Sequence, residues 1–188
     1  MKKNNQYDHI LSVAANLISQ KGFNGVSFQQ IADKTKLHKS SLFHYFKNKE
    51  EVLLRILEIH FDKFYGNFQA IVSNHELEPE EKLRKAIDNH LTLMITYRAN
   101  GNIFISELEN LSMKNRKIYL IRIREYENNF EKIIAEMKTK RYFDGLDQKI
   151  VAFGILGMLN WVTRWYKKSG PFTIEEISNI FYRMVTKT

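Results

Sequence analysis

Residues 27–51, SFQQIADKTKLHKSSLFHYFKNKEE, decide the fold of this 188-residue chain. Ser27 followed by Gln30 is a capping box, the start signal of a helix whose apolar residues Phe28, Ile31 and Ala32 recur at helical spacing. After a tight break, a second short helix from about His38 to Phe46 turns Leu42 and Phe46 inward, with Leu37 just before them. Its opposite face presents Lys39, Ser40, Phe43, His44 and Lys47. Asn48 with Glu51 is another start signal, and a long helix is expected from Lys49 to about Ser73. Two short helices joined by a brief turn, the second basic and aromatic, make a helix-turn-helix. Its second helix can lie in a DNA major groove.

Upstream, a helix from about Asn4 to Lys21 carries the apolar stripe Ile10, Val13, Ala14, Leu17 and Ile18. Gly22 stands where a left-handed cap would stop it, and Phe23 and Val26 can pack back beneath it. The charge is uneven in the same region. Residues 1–50 hold eight lysines against three acids, so they carry +5 of the chain's net +8. Cations gathered around a helix-turn-helix can bind phosphates and release counterions.

Composition narrows the remaining classes. With no cysteine, structural disulfides and Cys-ligated zinc are excluded. The opening MKKNNQYDHI has no apolar run behind its lysines, so it does not read as a signal peptide. Stretches such as IVAFGILGMLNWV fall short of the ~20 residues that span a membrane. A cytoplasmic protein without membrane association is expected.

Two prolines, eight glycines and helical periodicity nearly throughout predict an all-α fold. Pro79-Glu80-Glu81 opens a helix carrying Leu83, Ile87, Leu91, Met94 and Ile95. A shorter helical segment covers Ile103 to Leu111. A long helix from about Asn115 to Lys140 carries Ile118, Ile121, Tyr126, Phe130, Ile133 and Ile134. Gly145 and Asp147 open an apolar helix to about Lys168. Gly170-Pro171 breaks it, and Thr173 with Glu176 caps a final helix through Met184. The architecture expected is a three-helix DNA-binding domain over residues 1–48, joined to an effector-binding and dimerisation domain over residues 49–188. The helix beginning at Lys49 would couple the two mechanically.

The pattern Gly22-Phe23, Val26-Ser27, Ile31-Ala32, Leu37, Lys39, Leu42-Phe43-His44-Tyr45-Phe46 and Lys49-Glu50-Glu51 resembles the DNA-binding head of the TetR/AcrR family of bacterial transcriptional regulators. The likeness is dense from Ile10 to Leu54. By that resemblance Ser27, Phe43, Tyr45 and Lys49 take phosphate- or groove-contacting positions, and Lys39, Ser40 and Ser41 lie at the reading end of the second helix. From the residues themselves, Lys36, His38 and His44 join this DNA-binding set. The starts at Ser27 and Asn48–Lys49 offer backbone N–H groups suited to phosphate oxygens. Three positions depart from the family pattern. Lys36 replaces a turn glycine and must accept a left-handed backbone, at a cost of about 1 kcal/mol. His38 replaces a serine N-cap, and Phe43 replaces a tyrosine and can only pack.

The resemblance also implies a body that dimerises through its last two long helices and encloses an effector site. Phe153, Gly154, Gly157, Trp161, Trp165, Ile177 and Phe181 are the expected interface; burial of the apolar helix within one chain is the alternative. A dimer would set two reading heads roughly 34–36 Å apart on a palindromic operator in double-stranded DNA. The candidate effector pocket draws on Phe64, Phe68, His90, Met94, Tyr97, Phe104, Tyr126, Phe130 and Trp161, an apolar lining with few polar points, suited to a small hydrophobic or amphipathic effector. Each is also a plausible plain core residue. No cofactor or metal is expected.

An enzyme fares poorly, since no metal-ligating His-Glu-x-x-His, phosphate-cradling glycine loop or Gly-x-Ser-x-Gly occurs. Glu107 and Glu109, two apart, point to different helix faces. A membrane-surface protein would carry its basic excess along one amphipathic helix. An architectural DNA-binding protein without an effector would share the same head. The reading is therefore a ligand-responsive repressor that binds its operator as a homodimer.

Overall fold

A computed structural model describes residues 2–96 and 107–187, and the side chains of all of these except residues 2–4 and Phe64. Every regular element among them is helical: α1 Lys2–Lys21, α2 Phe28–Lys34, α3 Lys39–Phe43, α4 Lys49–Val72, α5 Pro79–Thr96, a 3-10 turn Leu108–Asn110, α6 Met113–Thr139, α7 Gln148–Trp165 and α8 Ile174–Thr186. Tyr97, Phe104 and residues 103–106 of the expected 103–111 segment lie outside the described residues, and the described part of that segment forms only the 3-10 turn Leu108–Asn110.

Packing groups the chain into two compact units, Met1–Asp62 with Tyr97–Tyr119, and Lys63–Thr96 with Leu120–Thr188. In the first, α2 packs on both α1 and α3. Ile10, Leu11, Ala14, Ala15 and Ile18 of α1 are buried, so the inward stripe is rotated from the expected one and leaves Val13 and Leu17 half-buried. Gly22 ends α1 at φ +70°, donating its N–H to Ile18 O at 2.8 Å. The Ser27–Gln30 capping box forms in both directions, at 3.1 Å and 2.7 Å.

α3 is shorter than expected. It stops at Phe43 and turns through His44 and Tyr45, while Phe46 stays buried. The start signal of α4 intervenes: Asn48 Oδ1 accepts Glu51 N at 2.8 Å and the Glu51 carboxylate accepts Lys47 N at 2.6 Å, drawing residues 47–48 out of any helix.

In the second unit α5 packs on α7 and α8. The inward face of α6 runs through Tyr126, Phe130, Ile133, Ile134 and Met137, while Ile118 and Ile121 face outward. Lys82 is buried beside Glu136, at 2.8 Å. Asp147 caps α7 and the Thr173–Glu176 box caps α8.

Candidate functional site

The head places its polar residues by burying their neighbours. Leu42 and Phe46 are fully inside, as are Ile31 and Ala32 of α2, the helix on which α3 packs. Helical geometry then turns Lys39, Ser40, Phe43 and His44 to the outside. Phe43 is 51% exposed yet packs on Phe28, ring centroids 4.9 Å apart, so the aromatic edge is held at the surface by a partner in α2. Ser41 and Tyr45 are half-buried beside this face.

Lys36 adopts φ 57°, the left-handed backbone expected at the turn, and its side chain is exposed. His38 occupies the N-cap of α3 without a side-chain capping bond. Ser27 Oγ is committed as an acceptor to its own helix but keeps its O–H to donate. The expected DNA-binding residues from Ser27 to Tyr45 thus sit on and around one exposed basic and aromatic helix.

Lys49 is placed differently from its expected role as a phosphate anchor. Its ammonium donates to Phe23 O at 2.7 Å and Val26 O at 2.8 Å and lies 4.0 Å from the centre of the Phe23 ring. The chain reaches inward because two carbonyls of the α1–α2 loop converge within reach of its four-carbon stem.

The same unit holds a polar cluster the sequence did not reveal. Glu50 Oε1 accepts Ser112 N and Asn115 Nδ2, both at 2.8 Å. Asn24 Nδ2 donates to Asn110 Oδ1 at 2.9 Å, and Asn110 Nδ2 donates to Glu107 Oε2 at 2.6 Å. The bonds from Ser112 and Asn115 hold Glu50 below the usual carboxylate range. Glu107 and Glu109 do not pair; the first is buried and the second exposed.

In the body, Phe68, His90, Tyr126 and Phe130, four of the candidate effector-site residues, come together in one buried cluster. Phe68 packs on Tyr126 and Phe130 with centroids 4.5 and 4.7 Å apart. His90, 4% exposed, bonds Tyr126 Oη through Nδ1 at 2.9 Å and Asn160 Oδ1 through Nε2 at 3.1 Å. An amide oxygen only accepts, so Nε2 carries the proton and Nδ1 accepts from the Tyr126 hydroxyl. Burial pushes the His90 pKa down to about 4 and keeps the ring neutral, against a smaller opposing pull from Asn160. Burial likewise raises that of Tyr126. Met94 is also buried.

Trp161 does not join this cluster. It is 64% exposed, because one residue along a helix rotates a side chain by about 100° and Asn160 takes the inward place. Asn160 was missed, although a lone polar residue in the run IVAFGILGMLNWV was a signal for it.

The outward face of α7 carries Ile150, Phe153, Trp161 and Trp165, all exposed, with Gly154 and Gly157 in the same stripe. A Cβ on either glycine would meet nothing within 4 Å in this chain. Burial within one chain accordingly covers only half of α7, through Ala152, Ile155, Leu156, Leu159 and Val162. On α8, Ile177 turns inward at 3% exposure, correcting its place in the interface set. Ile180 and Met184 take the outward positions, and Phe181 is half-buried. No described helix is long and apolar enough to cross a membrane.

Residues 10–56 match the family of bacterial regulatory proteins of the tetR type, and residues 76–188 match the tetracyclin repressor-like C-terminal domain. The chain is similar to the HTH-type transcriptional repressor KstR2 of Rhodococcus jostii, 24% identical over 186 residues that cover 97% of this chain and 90% of the relative. It is also similar to the fatty acid metabolism regulator protein of Bacillus subtilis, 22% identical over 95% of this chain and 92% of that protein. Among solved structures, AibR in complex with isovaleryl coenzyme A and operator DNA superposes with a TM-score of 0.87 at 27% identity, covering 96% of this chain and 98% of that one. With the helix-turn-helix at one end and the tetracyclin repressor-like domain filling most of the rest, this chain belongs to the tetR family of bacterial transcriptional regulators.

Proposed function

We propose that this protein is a homodimeric repressor that binds a palindromic operator in double-stranded DNA and is released by a small amphipathic effector of the acyl-coenzyme A class. The observation that carries the DNA-binding part is the exposed face of α3, where Lys39, Ser40, Phe43 and His44 stand over a buried Leu42. Lys39, Ser40 and Ser41 at the start of that helix read base edges, with His38 beside them. Ser27, Lys36 and Tyr45 hold the phosphates, and Phe43 packs against the groove. The reading domain is assigned to residues 1–48 and the effector and dimer functions to residues 49–188. The protein acts in the cytoplasm, by binding and without catalysis or cofactor.

The exposed stripe of α7, with Ile180 and Met184 of α8, supports the dimer. Two tryptophans, a phenylalanine and an isoleucine in water form the kind of patch that marks a partner site. Glycine within a helix costs about 1 kcal/mol relative to alanine. Gly154 and Gly157 return nothing for that cost inside one chain, but they let a second helix approach closely.

The effector class is supported by AibR, which has been solved with isovaleryl coenzyme A and operator DNA together, and by the similarity to a fatty acid metabolism regulator. Phe68, Phe130 and Met94 are suited to an acyl chain, and the Tyr126–His90–Asn160 chain supplies neutral polar groups among them.

The test is to select duplexes from a random library with the purified protein, then titrate the complex with isovaleryl coenzyme A, longer acyl-coenzyme A thioesters, free coenzyme A and free fatty acids. Release by a thioester and not by its two separate parts is expected. If every thioester leaves DNA affinity unchanged, the effector assignment fails and the effector-independent architectural reading takes its place. If no duplex is preferred, the repressor reading itself fails.

A further inference from the structure

We infer that Lys49 positions the reading head for DNA and is not itself a phosphate ligand; the inference rests on the repressor reading above. As the first residue of α4, Lys49 stands where a phosphate anchor would be expected. Its side chain turns away from that role. Of the three donors on an ammonium, two are taken by Phe23 O and Val26 O, at lengths typical of charge-assisted bonds. The face of the Phe23 ring, 4.0 Å away, covers a further side by cation–π attraction. Burial draws the lysine's pKa below 10.5, with the Glu107 carboxylate pulling against it.

The two carbonyls belong to the loop that sets where α2 begins. Val26 immediately precedes Ser27, the N-cap of α2, and Val26 N also donates to Phe23 O at 3.3 Å. The loop folds closely back on the end of α1: a Cβ on Gly25 would lie 2.2 Å from Lys21 O, so only glycine fits there. Lys49 therefore ties the start of α4 to the start of α2, 23 residues upstream of it at Val26. Since α3 packs on α2, the angle at which Lys39 and Ser40 are offered to a groove depends on this tie. Lys36 and Lys39, by contrast, are exposed.

A phosphate ligand and a positioning clamp leave different signatures. Removing one lysine–phosphate pair lowers the slope of log affinity against log salt by about 0.9, whereas a clamp releases no counterion. The experiment uses full-length Lys49→Met with two probes: the tightest duplex recovered by the wild-type protein from a random library, and a scrambled duplex of the same composition. Affinity is measured across a range of KCl concentrations, and folding is checked by circular-dichroism melting. We expect a folded protein with the salt slope of the wild type, a loss of about tenfold or more on the selected duplex, and a much smaller loss on the scrambled one. A slope reduced by about 0.9 for each lysine, with equal losses on both probes, would overturn the inference in favour of a phosphate ligand. Unchanged affinity on both probes would also overturn it, leaving Lys49 a purely stabilising role.

Should the Met variant not fold, Lys49→Arg decides. A phosphate ligand keeps or gains affinity with arginine. The wider planar guanidinium cannot occupy the same point over the Phe23 ring between both carbonyls, so a clamp loses selectivity. Failure of the wild-type protein to prefer any duplex would sink the repressor reading together with this inference, whereas the altered slope sinks this inference alone.

Discussion

Glu50 Oε1 accepts the backbone N–H of Ser112 at 2.8 Å, so a side chain in the first turn of α4 satisfies an orphan donor at the start of α6. Asn115 Nδ2 adds a second bond to the same oxygen. The arrangement acts as an N-cap supplied from a distant part of the sequence, and removing a cap costs about 1 kcal/mol.

Glu50→Ala should therefore lower stability by about 1 kcal/mol at neutral pH, read from urea denaturation. The backbone and side-chain bonds depress the Glu50 pKa below 4.5 in the folded chain. A depressed carboxylate contributes its stability above the unfolded pKa and loses it as pH falls through the folded one. The gap between wild type and Glu50→Ala should accordingly close in acid, below pH 4.5. A gap that stays constant into strong acid would show that the carboxylate charge is not involved.

His90 titrates in the same sense, beginning at higher pH. Its folded pKa of about 4 lies below the ordinary 6.5, so between those values the unfolded chain binds more protons than the folded one. Stability tied to His90 is complete above pH 6.5, falls as the pH is lowered towards 4, and levels off below it. The full change is about 3 kcal/mol. His90→Gln keeps a hydrogen-bonding side chain without a proton to gain. The wild type should lose stability relative to this variant between pH 6.5 and 4, and parallel pH profiles would refute the buried neutral histidine.

Local signals in the sequence placed most of the helices. The Ser27–Gln30 and Thr173–Glu176 boxes, the Asp147 cap and Gly22 each act within a few residues, so spacing alone suffices to read them. What failed depends on partners far along the chain. Val13 and Leu17 fit a helical stripe as well as Leu11 and Ala15 do, and only packing chose between them. Lys49 is a surface cation by composition, and its inward turn depends on two carbonyls more than twenty residues earlier. The meeting of Phe68, His90, Tyr126 and Phe130 from three helices was legible only as a shared chemistry, and Trp161 was drawn in because its neighbour Asn160 holds the inward angle.

At the turn of the helix-turn-helix, stability and DNA affinity should move apart. Lys36 holds φ 57°, a conformation that costs a non-glycine residue about 1 kcal/mol. Glycine relieves that cost but adds freedom to the unfolded chain, so Lys36→Gly should stabilise by roughly 0.5 kcal/mol. The same change removes a proposed phosphate ligand and should lower the salt slope of DNA binding by about 0.9 per protomer. A thermal melt and a salt titration check the two halves; a Lys36→Gly protein with unchanged slope would remove Lys36 from the DNA-binding set.

Base reading and phosphate binding should separate in the same assay at the start of α3. Lys39→Ala should change which duplexes are selected from a random library, because a lysine at this end of a recognition helix reaches base edges. Equal losses on selected and scrambled duplexes would instead mark Lys39 as a phosphate ligand.

The outward face of α7 gives the most direct test of assembly. Trp161 is 64% exposed, and Gly157 lies one helical turn before it with open space above its Cα. If a second copy packs there, Trp161→Asp buries a carboxylate in an apolar interface, a change costing several kcal/mol for each copy. The variant should sediment as a monomer at concentrations where the wild type is a dimer, while its helix content is unchanged because the residue is already solvated in the single chain. Its affinity for a palindromic duplex should fall steeply, since two weakly bound heads are no longer linked. Its affinity for a half-site should be unaffected. A Trp161→Asp protein that still sediments as a dimer would place the interface elsewhere on the chain.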